Sequence, residues 1–78
     1  MSVRRHDNGQ IILEGHCPAE DAETLLQLLQ ANPESPVDWT QCSYLHTAVL
    51  QVILAVRPAR IGACGDAWVR QWVAGDRL

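Results

Sequence analysis

The sequence predicts an α/β fold, a four-stranded mixed sheet with helices packed against it. Strand-like and helix-like patterns follow one another in the order β-β-α-β-α-β-α, and such alternation favours parallel strand pairs. An Asn-Gly pair between the first two extended segments predicts that these two strands are antiparallel. At a length of 78 residues, the whole chain, residues 1–78, is expected to form a single domain.

The first two strands are predicted from the turn between them. Asn8 and Gly9 both tolerate the positive φ angles that tight hairpin turns require, and extended segments flank them. We therefore expect strands at residues 2–6 and 10–15. The first of these is short and polar, which is typical of an edge strand.

A first helix is expected at residues 18–31. Pro18 suits the first helical position, where its missing N–H costs nothing, and the acidic residues that follow complement the positive helix end. Leucines then recur at helical spacing. Asn32 and Pro33 end the pattern, because proline cannot continue a helix.

The middle of the chain predicts a strand followed by a buried helix. Residues 37–41 carry β-branched and aromatic side chains and are expected to form the strand. Residues 45–57 are apolar on nearly every face, which predicts a helix enclosed by the core. Pro58 ends that helix.

The C-terminal part predicts a short fourth strand and a last helix. The strand is expected at residues 60–64 and the helix at residues 67–74. Asp66 is a residue type that commonly caps the N-terminus of a helix. Gly75 follows the helical pattern and is expected to end it.

Composition and charge exclude several classes of protein. Hydrophobic residues make up 47% of the chain and charged residues 19%, which excludes a disordered tail. No apolar run reaches about 18 residues, so no membrane association is expected, and the net charge of −3 argues against nucleic-acid binding. Three dispersed cysteines are typical of reduced thiols in a cytoplasmic protein rather than of a disulfide framework.

No catalytic motif stands out in the sequence. A Gly-rich phosphate loop, a nucleophile elbow and paired carboxylates on one helix face are all missing. We therefore expect a protein that is not an enzyme and needs no cofactor.

One segment resembles a known family. Residues 38–40, Asp-Trp-Thr, resemble the strand end in the central signature of STAS domains, the family of anti-sigma-factor antagonists and sulfate-transporter tails. Residues 46–50, His-Thr-Ala-Val-Leu, resemble the second part of that signature, which opens a helix. The N-terminal hairpin, and Gly15 before an acidic helix start, resemble the preceding units of the family.

The resemblance implies a bacterial regulatory module in signal transduction and transcription regulation, whose partner is an anti-sigma factor or a related Ser/Thr kinase. Thr47 matches the family's phosphorylated Ser, while His46 replaces the preceding Asp and Val49 replaces the Gly. The expected partner-binding surface is the start of the second helix with the loop before it. Its residues are Asp38, Ser43, Tyr44, His46 and Thr47.

Thr47 has two predicted roles at this helix start. Its hydroxyl is expected to cap a free backbone N–H. As a phosphorylation candidate it would instead add about −1.5 to −2 units of charge, stabilised locally by the helix dipole and free amides. Such a phosphate would repel a partner without unfolding the domain.

A metal site is the alternative interpretation of the cysteines. Cys17, Cys42 and Cys64 each lie at the carboxyl end of a predicted strand or just past it, and His46 lies at the same edge. Three thiolates and an imidazole form an acceptable zinc set, but the close Cys-x-x-Cys spacing of such sites is missing. Small buried thiols, and no metal, are therefore expected.

Trp68 and Trp72 lie one turn apart on the last predicted helix, and a stripe of this kind is more often core than surface. If exposed, the pair would anchor a protein partner or a second copy of the chain. That alternative predicts a structural subunit that forms homo-oligomers through its C-terminal helix. A third hypothesis is a small-molecule or metal sensor at the carboxyl edge of the sheet.

Overall fold

The computed structural model describes residues 2–75 of the chain, with side chains to residue 71. The elements are β1 Val3–Arg5, β2 Ile11–Cys17, α1 Asp21–Ala31, β3 Val37–Leu45, α2 Thr47–Val56, β4 Arg60–Ile61 and α3 Ala67–Gly75. The four strands form one sheet in the order β1-β2-β3-β4, antiparallel between β1 and β2 and parallel elsewhere. The predicted α/β class, mixed sheet and element order are confirmed. None of the helices within residues 2–75 has the length and hydropathy needed to cross a membrane.

The first two strands form the predicted hairpin. Arg4 lies opposite Ile12 in the ladder. The His6 N–H donates a hydrogen bond of 2.7 Å to the Gln10 carbonyl and closes the turn. Gly9 has a φ of +92°, which glycine adopts without the steric cost that a Cβ imposes. The turn residues therefore determine the pairing, as predicted.

β3 is longer than the predicted strand, which ended at residue 41. The seven residues of β2 lie beside the nine residues of β3, because the register shifts twice and each shift adds one residue to β3. These β-bulges break the regular alternation of buried and exposed side chains. A strand predicted from local alternation therefore ends too early, and Ser43 and Tyr44 lie in the strand instead of in a loop.

The first helix begins three residues later than predicted. Pro18 and Ala19 belong to a turn in which their carbonyls accept hydrogen bonds of 3.0 Å from the N–H groups of Asp21 and Ala22. The Ser2 hydroxyl donates to the Asp21 carboxylate and so attaches the helix start to the N-terminal segment. The predicted end of this helix is confirmed.

The helices and the sheet share one hydrophobic core. Val49, Leu50 and Ile53 are buried on one face of α2, whereas Val56 on the same helix is 42% exposed. The predicted burial of α2 on nearly every face is therefore wrong, because the sheet and α1 cover only part of its circumference. The other core residues are Val3, Ile11, Leu13, Cys17, Leu25, Leu29, Val37, Trp39, Cys42, Leu45, Cys64 and Val69.

β4 is only two residues long and does not reach residue 64 as predicted. It pairs with the start of β3, where Ile61 lies opposite Asp38. Gly62 then turns the chain at a φ of +70°, and its carbonyl accepts a hydrogen bond of 3.0 Å from the Trp39 indole. The chain leaves the sheet here and runs beside β3 to the start of α3.

Candidate functional site

A shallow pocket lies at the carboxyl end of β3, next to the starts of α2 and α3. Its volume is about 280 Å³. Two of its residues belong to the partner surface predicted from the resemblance, and a third is one of the two predicted tryptophan anchors. The lining residues are Tyr44, Leu45, Thr47, Asp66 and Trp68.

Asp66 joins β3 to α3 at this pocket. The residue is buried, with 8% of its surface exposed. One carboxylate oxygen accepts a hydrogen bond of 2.8 Å from the Leu45 N–H, and the other accepts from the N–H groups of Trp68 and Val69 at 3.0 and 3.4 Å. The predicted N-cap is confirmed, and the bond to β3 is an additional role that helix-capping rules do not reveal.

The segment before α3 packs directly against the β3 backbone. The Gly65 N–H donates a hydrogen bond of 3.0 Å to the Trp39 carbonyl. A Cβ at position 65 would collide with the carbonyl oxygens of Thr40 and Cys42, so only glycine fits this approach. Asp66 is therefore held next to the end of β3.

Tyr44 is the aromatic residue that β3 contributes to the pocket. Its side chain lies on the exposed part of the strand and is 43% exposed. His16, its partner in the ladder between β2 and β3, stacks on the Tyr44 ring with the centroids 4.7 Å apart and the planes 17° apart. This cross-strand pair holds the tyrosine ring in a defined orientation.

Trp68 does not lie in the core, and the prediction of a core stripe is wrong for this residue. It is 56% exposed, whereas its neighbour Val69 is fully buried. A nine-residue helix that packs on one side buries a single stripe, and in α3 the valine occupies it. The Trp72 side chain lies outside the described residues.

Thr47 is the first residue of α2 and does not cap it. The N-cap is His46, whose Nδ1 accepts a hydrogen bond of 3.0 Å from the Ala48 N–H. The prediction that the Thr47 hydroxyl caps the helix is therefore corrected. The threonine side chain is exposed, which leaves it accessible as the predicted phosphorylation candidate.

The remaining residues of the predicted surface are distributed along β3. Ser43 is exposed beside Tyr44, and His46 is half-buried at the start of α2. Asp38 lies near the opposite end of the strand, where its carboxylate accepts hydrogen bonds of 3.0 and 2.7 Å from the N–H and hydroxyl of Thr40. The structure therefore separates Asp38 from the residues around the pocket.

The three cysteines are free, buried and in contact inside the core. The Cys42 thiol donates a hydrogen bond to Cys17 over 3.6 Å between the sulfur atoms. Cys42 lies within β3, not past its end as predicted, and His46 uses Nδ1 to cap α2. Among the described residues, no group of three or more His, Cys, Asp and Glu side chains is arranged to hold a metal ion.

Hydrogen bonds and burial change the acidity of these thiols. Donation to Cys17 and burial raise the pKa of Cys42 to about 12. The same hydrogen bond lowers the pKa of Cys17, which accepts it. A hydrogen bond to Cys42, together with burial, raises the pKa of Cys64. Two of the three thiols are therefore harder to ionise in the folded protein than in free cysteine.

Comparison of the chain with known protein families, with curated proteins and with solved structures finds no match. The resemblance to STAS domains therefore stays a prediction that depends on the short segments at residues 38–40 and 46–50.

Proposed function

We propose that the chain is a small, non-enzymatic module that binds another protein through Tyr44, Thr47 and Trp68, which together we call the aromatic surface. One observation carries the proposal: two large aromatic side chains, 43% and 56% exposed, line the same pocket. Tyrosine and tryptophan are frequent energetic anchors of protein interfaces. Each ring also has an apolar body and a polar edge. Such a side chain can contact water in the free protein and a partner in the complex.

The partner class that we propose comes from the family resemblance: an anti-sigma factor or a related Ser/Thr kinase. Thr47 is the proposed phosphorylation site, since it is exposed at the first position of α2. A phosphate there is favoured by the helix dipole. Because Thr47 lines the same pocket as the two aromatic rings, the added charge would lower the affinity for the partner.

The proposed setting is the cytoplasm, with a protein as the partner rather than a nucleic acid or a membrane. Three free thiols are typical of a reducing compartment. A net charge of −3 disfavours contact with a phosphate backbone. The resemblance adds the expectation of a regulatory role without a cofactor.

Affinity capture from the native host tests the aromatic surface. Wild type, Trp68→Ala and Gln71→Ala serve as baits, because both substituted residues are exposed on α3. We expect the same protein on wild type and Gln71→Ala, and at least about tenfold less of it on Trp68→Ala, the loss typical of an interface anchor. Equal capture by all three baits contradicts the proposal.

A second pair of baits tests the switch. Thr47→Glu adds charge at the pocket, and Gln51→Glu adds the same charge at another exposed position of α2. We expect the captured amount to fall with Thr47→Glu and to stay unchanged with Gln51→Glu. Equal effects of the two substitutions would show that the position of the charge does not matter.

Self-association is the second candidate function, and the exposure of Trp68 favours it. A second copy would cover the tryptophan and form a homo-oligomer through α3. The molecular mass measured by sedimentation at rising protein concentration distinguishes the two candidates. A mass that rises with concentration, and that Trp68→Ala returns to the monomer value, supports assembly.

A further inference from the structure

We propose that the pocket between Tyr44 and Trp68 is a cation site that takes the guanidinium group of an arginine side chain from the protein partner. The inference rests on the proposed function and gives the chemistry of the partner group that enters the aromatic surface. Three features of the pocket carry it: a buried carboxylate that forms no ion pair among the described residues, an acceptor site that this carboxylate leaves open, and two exposed aromatic rings.

The first feature is that the Asp66 carboxylate forms no ion pair with a described residue. The residue is 8% exposed and lines the pocket. Among the side chains that the structure describes, the one ion pair joins Arg4 and Glu14, far along the chain from Asp66. Arg70, one turn away on α3, donates instead to the Cys64 carbonyl at 3.3 Å. Within the described part of the chain, backbone N–H groups and not an ion pair therefore stabilise this carboxylate.

The second feature is the spare acceptor capacity of that carboxylate. An ionised carboxylate has about four acceptor sites, and three backbone N–H groups occupy three of them. The oxygen that bonds Leu45 accepts only that one bond. A donor that reaches this oxygen therefore finds one acceptor site still open.

The third feature is the pair of aromatic rings. The face of a tyrosine or tryptophan ring carries negative potential and attracts a cation placed above it. Tyr44 and Trp68 both line the pocket, and His16 stacked on Tyr44 holds that ring in place. Guanidinium is planar, stacks on such rings and is more weakly hydrated than an ammonium group, which favours arginine over lysine.

An anion is the less suitable ligand, although two helices begin at the pocket. The Ala48 N–H at the start of α2 donates to His46. At the start of α3, the N–H groups of Trp68 and Val69 donate to Asp66. These three N–H groups are therefore already bonded, and the carboxylate that accepts from two of them repels a free anion.

The test is an NMR titration of the full chain with three small probes: Nα-acetyl-arginine amide, the lysine analogue and the citrulline analogue. Citrulline has the shape of arginine without its charge. We expect the arginine probe to shift the Trp68 indole N–H and the Tyr44 ring signals in a saturable way, with lysine weaker and citrulline without effect. Equal binding of arginine and citrulline overturns the proposal.

Variants locate the site. Asp66→Asn removes the charge but keeps a good N-cap residue, and should weaken the arginine probe at least about tenfold, the loss expected for a charge-assisted contact. Asp38→Asn is the matched control, because this carboxylate also bonds local donors but lies away from the pocket. Unchanged binding to Asp66→Asn overturns the proposal. If that variant unfolds, Tyr44→Leu serves instead, since it removes an exposed ring and keeps apolar area.

Failure of the cation site is distinguishable from failure of the proposed function. A partner lost with Trp68→Ala, while the arginine probe fails to bind wild type, keeps the aromatic surface and overturns only the cation site. Binding of the arginine probe without any captured partner keeps the cation site and overturns the proposed function.

Discussion

The carboxylate of Asp66 and the backbone N–H of Leu45 form a hydrogen bond of 2.8 Å that joins the first turn of α3 to the last residue of β3. The same carboxylate caps α3 through Trp68 and Val69. One side chain thus satisfies donors on two elements and holds one wall of the pocket against the other.

Removal of this carboxylate should destabilise the protein more than the loss of an ordinary cap. Asp66→Ala loses the N-cap, worth about 0.5–2 kcal/mol, and leaves the buried Leu45 N–H without its acceptor, at a further cost of about 1–3 kcal/mol. Asp66→Asn retains one oxygen, which can accept either from the α3 N–H groups or from the Leu45 N–H but not from both, and it should cost less than Asp66→Ala. Urea denaturation of both variants measures the two costs, and a loss with Asp66→Ala no larger than that of an ordinary cap, about 0.5–2 kcal/mol, would show that the bond to Leu45 contributes little.

The sequence predicts those parts of the fold that local rules determine. The Asn-Gly turn specifies the hairpin, and leucine spacing together with Asn32 specifies the end of α1. The two bulges of β3 depend on pairing with β2, and this pairing leaves no local signal in the sequence. The same limit applies to the pocket: Asp66 is recognisable as a cap, but its bond to Leu45 requires the strand beside it.

The exposure of Trp68, which the sequence predicts to be a core residue, also depends on contacts that local rules do not describe. Spacing on a helix shows which residues share a stripe, but not which stripe faces the core. In α3 Val69 is buried, whereas Trp68, which precedes it, is exposed. A short helix at the end of a small domain has few partners to pack against, so the largest side chain is not necessarily the buried one.

The core face of α2 should dominate the stability of the domain. Ile53 is fully buried, and its truncation to alanine is expected to cost about 2–5 kcal/mol. That cost is comparable to the total stability of a small domain, about 5 kcal/mol, so Ile53→Ala should be largely unfolded. Val56→Ala is the matched control on the same helix, since Val56 is 42% exposed. Circular dichroism melting curves of the two variants decide the prediction, and similar curves would contradict it.

The cysteine cluster should make the protein less stable at alkaline pH. The pKa of Cys42 is raised from its ordinary value of 9.0 to about 12 in the folded state, and that of Cys64 is also raised. Above pH 9 the unfolded chain therefore loses thiol protons that the folded chain keeps, so the free energy of unfolding falls as the pH rises toward 12. The lowered pKa of Cys17 makes the free energy of unfolding rise with pH, but only at pH values below 9.

Urea midpoints measured at about pH 9 and about pH 11 test this linkage. The double variant Cys42→Ala and Cys64→Ala removes both thiols with raised pKa values, and its midpoint should fall less over this interval than that of wild type. Equal slopes in the two proteins would assign the alkaline loss of stability to other groups.

The last prediction concerns the cap at the start of α2. Loss of the His46 side chain should cost more stability than loss of the Thr47 side chain, whereas the sequence alone suggests the opposite. Because His46 Nδ1 accepts from the Ala48 N–H and Thr47 is exposed, His46→Ala should cost about 0.5–2 kcal/mol as the loss of a cap. Thr47→Ala should cost less than about 0.5 kcal/mol, as expected for an exposed substitution away from such features. Thermal unfolding of the two single variants measures the difference. A larger loss with Thr47→Ala would restore the threonine hydroxyl as the cap and contradict the assignment to His46.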